Sequence, residues 1–77
     1  MKTAGIDIGS ITAKAAVIED GRILGSRVIF TGYNVEVAAR KVYEELLADL
    51  GMNASSIHRV VSTGYGRNGV PFSDKAM

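Results

Sequence analysis

Apolar and polar positions change rhythm repeatedly along this chain, and each rhythm predicts an element. Thr3 to Ile8 is almost continuously apolar up to Asp7, which predicts a first strand buried on both faces. Ala13 to Glu19 predicts a second strand and Arg22 to Phe30 a third. Between them stands Asp20-Gly21, the pair favoured by type I′ hairpin turns, so these two strands are expected to run antiparallel. Thr31-Gly32-Tyr33 reads as a connector. Asn34 is a good N-cap and Glu36 suits the positive end of a helix. Val35, Ala38, Ala39, Val42, Leu46 and Leu50 then recur at helical spacing, and Gly51 stops the helix. Glu36–Arg40, Arg40–Glu44 and Lys41–Glu45 are candidate i,i+4 pairs, each worth about a few tenths of a kcal/mol.

After a turn over 53–56, Ile57 to Ser62 predicts a fourth strand. A helix joins it to the earlier strands, so it is expected to lie parallel to one of them. The order is β-β-β-α-β: an α/β chain with a mixed sheet and a helix on one face. The fourth strand is the expected exposed edge, and Asp74 to Met77 is expected to begin a helix. An uncovered edge would leave the chain self-associating or marginally stable.

Composition narrows the function classes. The 77 residues allow one domain or part of one. A domain this small buries only about 60% of its unfolded surface. With no cysteine there is no disulfide and no thiolate metal site; with one histidine there is no multi-histidine site. The net charge is +1 and the basic residues form no run, so nucleic-acid binding has no compositional support. No apolar stretch reaches the roughly 20 residues that span a bilayer, and the expected setting is cytoplasmic. His58, at a strand start, reads as a capped or partly exposed residue; Tyr33 and Tyr43 read as packing residues.

Candidate chemistry gathers at two glycine-bearing segments. In Asp7-Ile8-Gly9-Ser10-Ile11-Thr12-Ala13-Lys14 a strand ends in an acid, turns tightly and runs back past a lysine. Successive backbone N–H groups in such a turn form an anion-binding concavity. A carboxylate there can hold Mg²⁺ through water, because this hard ion keeps several waters and shares phosphate oxygens. An ordinary hairpin with Asp7 paired to Lys14 satisfies the same residues.

The second segment, Thr63-Gly64-Tyr65-Gly66-Arg67-Asn68-Gly69, contains GxGxxG literally. It is not a dinucleotide fingerprint, because that motif must open a helix and here Val70-Pro71 follows. Nor does the chain contain GxxxxGK[ST]. The segment follows a strand, at the end where ligands bind in α/β sheets, and Arg67 carries a planar fork suited to phosphate or carboxylate. A plain flexible loop is the alternative.

Taken together, Gly5 to Ser10 with Lys14 resembles the first phosphate loop of the actin, sugar-kinase and Hsp70 ATPase superfamily. With Thr63 to Arg67 about fifty residues on, the chain resembles the BadF/BadG-type ATPases: the activators of 2-hydroxyacyl-CoA dehydratases and the related ATP-binding subunits of benzoyl-CoA reductase. Phe72-Ser73-Asp74-Lys75 resembles the stretch after the second motif. The resemblance implies an RNase H-like, actin-like ATPase subdomain, of which 1–77 is the N-terminal part of a longer, homodimeric parent. It implies ATP and Mg²⁺ as ligands, and in the parent alone a [4Fe-4S] cluster held by cysteines. ATP hydrolysis in that parent drives an electron to an acyl-CoA dehydratase or reductase partner, whereas these residues alone are expected to be inactive.

By the same resemblance Asp7 holds Mg²⁺ through water. Gly9, Ser10, Ile11 and Thr12 cradle phosphates and Lys14 neutralises them. Thr63, Gly64, Tyr65, Gly66 and Arg67 line the cleft or report its state. Family members usually carry threonine where Ile11 and Ala13 stand, so two side-chain oxygens are missing. Half of a sugar or acid kinase of the same superfamily and a non-catalytic interaction module are the alternative readings.

Overall fold

The alternation of the first strand decides how the sheet is built. Ala4, Ile6 and Ile8 are fully buried, while Thr3, Gly5 and Asp7 point the other way and Asp7 is exposed. The expectation of burial on both faces was therefore wrong. Gly5 and Thr3 add apolar-looking length without a large side chain to bury, so only one face of this strand carries core residues.

The computed structural model describes residues 1–32 and 34–77; Tyr33, assigned from sequence to a connector and to packing, lies outside the described residues. The elements are β1 (Lys2–Ile8), β2 (Thr12–Glu19), β3 (Arg22–Phe30), α1 (Val35–Leu50), β4 (Arg59–Thr63) and β5 (Lys75–Ala76), with 3₁₀ turns at Ala54–Ser56 and Arg67–Gly69. The sheet order is β3-β2-β1-β4-β5, with β1/β2 and β2/β3 antiparallel and β4 parallel to β1. The Asp20-Gly21 turn has φ of 52° and 80°, the positive values that a type I′ turn requires.

Helix α1 starts and stops where its caps dictate. The Asn34 side chain accepts the Val37 N–H at 3.1 Å. The Gly51 and Met52 N–H groups donate to Ala48 and Leu47 carbonyls at 3.1 and 2.9 Å. Its buried stripe is Ala38, Ala39, Val42, Tyr43, Leu46 and Leu47, packed on Ile6, Ile8, Ala13, Ala15 and Val17 of the sheet. Tyr43 packs as expected and stacks on Phe72, ring centroids 5.0 Å apart. Of the three expected i,i+4 pairs, Glu36–Arg40 is an ion pair at 3.5 Å among the described residues. Glu45 is taken instead by Arg27 of β3, at 2.8 Å, and the same guanidinium binds Asp49. These half-exposed charges tie β3 to α1 and contribute little net energy.

Three further expectations are corrected. The chain from Asp74 begins no helix: Lys75 and Ala76 pair with Val61 and Ser62 as a short parallel strand. The Asp74 N–H donates to the Val60 carbonyl, its carboxylate accepts the Val60 N–H (both 2.7 Å), and the Met77 N–H donates to Ser62 at 2.8 Å. The outer backbone of β4 captures this segment, overriding its local preference. It follows that β4 is an interior strand, and β3 and β5 are the edges. β4 also begins two residues later than expected, because the Ile57 N–H closes the preceding 3₁₀ turn on Ala54 at 3.0 Å. His58 caps β1, its Nδ1 accepting the Lys2 N–H at 3.0 Å.

Candidate functional site

The parallel pairing of β1 with β4 brings the two glycine segments together. Asp7 lies opposite Lys14 across the antiparallel ladder and opposite Thr63 across the parallel one. All three are exposed on the face of the sheet away from α1. With Gly5, Ala16 and Val28 they line a shallow depression of about 350 Å³. A groove of similar size on the outer surface of α1, between Glu36, Arg40, Lys41 and Glu44, contains neither motif. Among the described residues neither Asp7 nor Lys14 makes an ion pair. The Asp7–Lys14 pairing that an ordinary hairpin offers is thus an adjacency and not a bond.

Beyond Ile8 the chain turns on itself. The Gly9 N–H donates to the Thr12 carbonyl at 2.8 Å. The Ser10 and Ile11 N–H groups bond to no other backbone group among the described residues, and both residues are exposed. These two donors, next to the carboxylate of Asp7, are what the turn offers an anion. Ile11 brings no hydroxyl to the turn and its side chain stands 68% exposed, while its backbone N–H is one of the two available donors.

The turn is clamped from outside. Buried Thr31 donates its hydroxyl to the Gly9 carbonyl at 2.9 Å and its N–H to the Ile11 carbonyl at 2.8 Å. Sequence reasoning placed Thr31 in a connector and missed this role. A threonine after a strand carries no signal that it will bond to a residue 22 positions earlier. On the other side the Gly66 N–H donates to the Ile8 carbonyl at 2.9 Å. Gly64 has φ of 91°, and Gly66 leaves no room for a side chain against Ile8 and Val35. Arg67 holds its own loop: one guanidinium N–H donates to the Gly64 carbonyl at 3.1 Å, and its carbonyl accepts the hydroxyl of fully buried Ser62 at 2.8 Å. Tyr65 projects from the loop, 85% exposed.

The donor set can be tested against the groups the sequence implies. Among the described residues no three His, Cys, Asp or Glu gather into a metal cage. A single exposed carboxylate beside free N–H donors is the set that suits Mg²⁺ when it keeps its waters and shares phosphate oxygens. The residues present fit magnesium on those terms. They do not fit an iron–sulfur cluster, since the 77 residues contain no cysteine to ligate iron. Among the described residues no helix is long and apolar enough to cross a membrane.

Comparison with known proteins places the fold. The chain is 37% identical to the 2-hydroxyisocaproyl-CoA dehydratase activator of Clostridioides difficile, over 97% of its own length and 28% of that protein's. The solved structure of the Clostridium difficile activator with bound ADPNP superposes with a TM-score of 0.89 at 33% identity, covering all of this chain and 29% of the other. Component A of the Acidaminococcus fermentans (R)-2-hydroxyglutaryl-CoA dehydratase superposes at 0.90 with 29% identity, covering 30% of that chain. A Thermus thermophilus ROK hexokinase, at 22% identity and a TM-score of 0.72, shares the fold alone. The mixed sheet with helix α1 on one face is the N-terminal part of an actin-like ATPase subdomain, as the resemblance implied. The chain spans less than a third of the relatives it matches. With a family model matching residues 4–77 as well, the chain belongs to the BadF/BadG/BcrA/BcrD ATPase family.

Proposed function

We propose that these residues are the first phosphate- and magnesium-binding part of an ATP-hydrolysing activator, which drives electron transfer to a 2-hydroxyacyl-CoA dehydratase or benzoyl-CoA reductase partner. The observation that carries the reading is the adjacency of Asp7, Lys14 and Thr63 beside a turn with two N–H donors that bond to no other backbone group among the described residues. Asp7 holds Mg²⁺ through water. The Gly9–Thr12 turn receives the terminal phosphates, with the Ser10 and Ile11 N–H groups as the donors. Lys14, opposite Asp7, offsets phosphate charge. Thr63 to Arg67 form the adjoining wall, where a change in the bound nucleotide alters packing.

The parent is proposed to be a cytoplasmic homodimer whose [4Fe-4S] cluster is ligated by cysteines outside these residues. Phosphoryl transfer depends on charges preorganised around the whole transferring group. Half of a cleft supplies too few, so this chain binds nucleotide weakly and does not turn it over. Equilibrium dialysis with ADPNP tests the reading: binding is expected to require Mg²⁺ and to be lost in Asp7→Ala. Binding indifferent to both would contradict it. A colorimetric phosphate assay showing steady, Mg²⁺-dependent hydrolysis by the 77 residues would overturn the statement on turnover.

A further inference from the structure

We propose that Gly64 is a positioning residue for the Asp7 carboxylate: the bare backbone of the second glycine segment is the wall that sets where that carboxylate stands. The inference rests on the reading of Asp7 as the carboxylate that serves a magnesium–nucleotide. A Cβ on Gly64 would lie far inside contact distance of Asp7 Oδ1, 2.6 Å from the Ile8 carbonyl oxygen and 3.0 Å from its carbon. Among the described residues no other glycine would drive a Cβ into a charged side chain. Gly66 and Gly69 would meet the side chains of Ile8 and Val35.

The loop cannot back away to make room. Gly66 is bonded to the Ile8 carbonyl, the Gly64 carbonyl accepts both the Arg67 N–H (3.3 Å) and its guanidinium, and Ser62 holds the Arg67 carbonyl from below. Of the groups a Cβ would meet, the Ile8 carbonyl is held by the Gly66 N–H and its overlap remains as strain, whereas the Asp7 side chain is exposed and makes no ion pair or hydrogen bond among the described residues, so the carboxylate swings away. A methyl group at position 64 therefore turns the carboxylate away from its native rotamer. Groups that orient a ligand to a metal control affinity by about tenfold to a hundredfold when lost.

Gly21 supplies the control. Its φ of 80° imposes the same backbone strain on any side chain, but a Cβ there meets open space. The test uses the isotopically labelled 77-residue chain. Without nucleotide, the Asp7 χ1 couplings and carboxyl ¹³C shift are expected to change in Gly64→Ala and to stay native in Gly21→Ala. With ADPNP and Mg²⁺, affinity is expected to fall by about tenfold or more in Gly64→Ala alone. An unmoved Asp7 rotamer in a folded Gly64→Ala chain overturns the proposal, and so does a moved rotamer with unchanged affinity. If Gly64→Ala fails to fold, the χ1 couplings of Asp7 in the unmutated chain decide: one fixed rotamer against the Gly64 backbone is expected, and averaging among rotamers overturns the proposal. Absence of ADPNP binding by the unmutated chain would sink the functional reading, while the rotamer comparison still judges Gly64.

Discussion

At one end of β2 the chain turns through Asp20-Gly21; at the other it turns through Gly9 to Thr12. Both turns follow the same local chemistry, an acid and a glycine between two apolar strands. The first is self-contained. Its positive φ values do the work, nothing lies within 4 Å of a Cβ on Gly21, and the one partner of Asp20 among the described residues is the exposed N-terminal ammonium at 3.6 Å. The second is held by three other parts of the chain: Thr31 from the end of β3, Gly66 through Ile8, and Gly64 against Asp7. Turn residues close a hairpin. In the proposed reading these long-range clamps are what turn a hairpin into a site, because they hold the donors and a carboxylate in place before a ligand arrives.

This contrast can be broken most forcefully in the strand interior. Ile8 is fully buried beneath the clamped turn, whereas Ile18, at the other turn, is 37% exposed. Ile8→Ala is expected to cost about 2–5 kcal/mol and Ile18→Ala well under about 1 kcal/mol in urea denaturation. Equal costs would remove the distinction between the two ends. A smaller effect sharpens it. Thr31→Val keeps the shape and deletes the bond to Gly9, and is expected to cost about 1 kcal/mol, with faster amide exchange confined to residues 9–12. Exchange that quickens equally at Asp20-Gly21 would mean that Thr31 supports the sheet and not the turn.

The smallest effect is on pH dependence. Burial pushes the Tyr43 phenol above its ordinary value of 10.0, and the Asp74 carboxylate adds to the shift. The neutral phenol is thus favoured in the folded state. Its contribution is complete below the unfolded value of about 10 and is lost as pH rises through the higher folded value. Melting temperature is expected to fall in that alkaline range, and the fall to shrink in Tyr43→Phe. An unchanged alkaline profile in Tyr43→Phe would assign the loss to other groups.

The sequence showed much of this where residues carry their own conformational signal. Asp20-Gly21, Asn34 and Gly51 announce a hairpin and a capped helix through φ preference and side-chain capping, and all three behave accordingly. β5 was illegible because Lys75-Ala76 has no apolar rhythm; it is a strand only because Asp74 and the edge of β4 exchange hydrogen bonds. The one-faced burial of β1 was hidden by Gly5, which reports no face. Both glycine segments were visible as motifs, yet their contact is a product of parallel pairing 56 positions apart in Asp7↔Thr63. Thr31 left no trace, since its role lies wholly in what it reaches.

The central claim is that two segments distant in sequence form one magnesium–phosphate site at the clamped end of β1. Replacing Mg²⁺ by paramagnetic Mn²⁺ with ADPNP, and mapping the broadening of backbone amides in the labelled chain, tests it most directly. The account predicts broadening of residues 7–12 and 63–66 together, an undisturbed Asp20-Gly21 turn, and loss of the whole pattern in Asp7→Ala. Broadening centred on Asp20-Gly21, or on one glycine segment without the other, would contradict it.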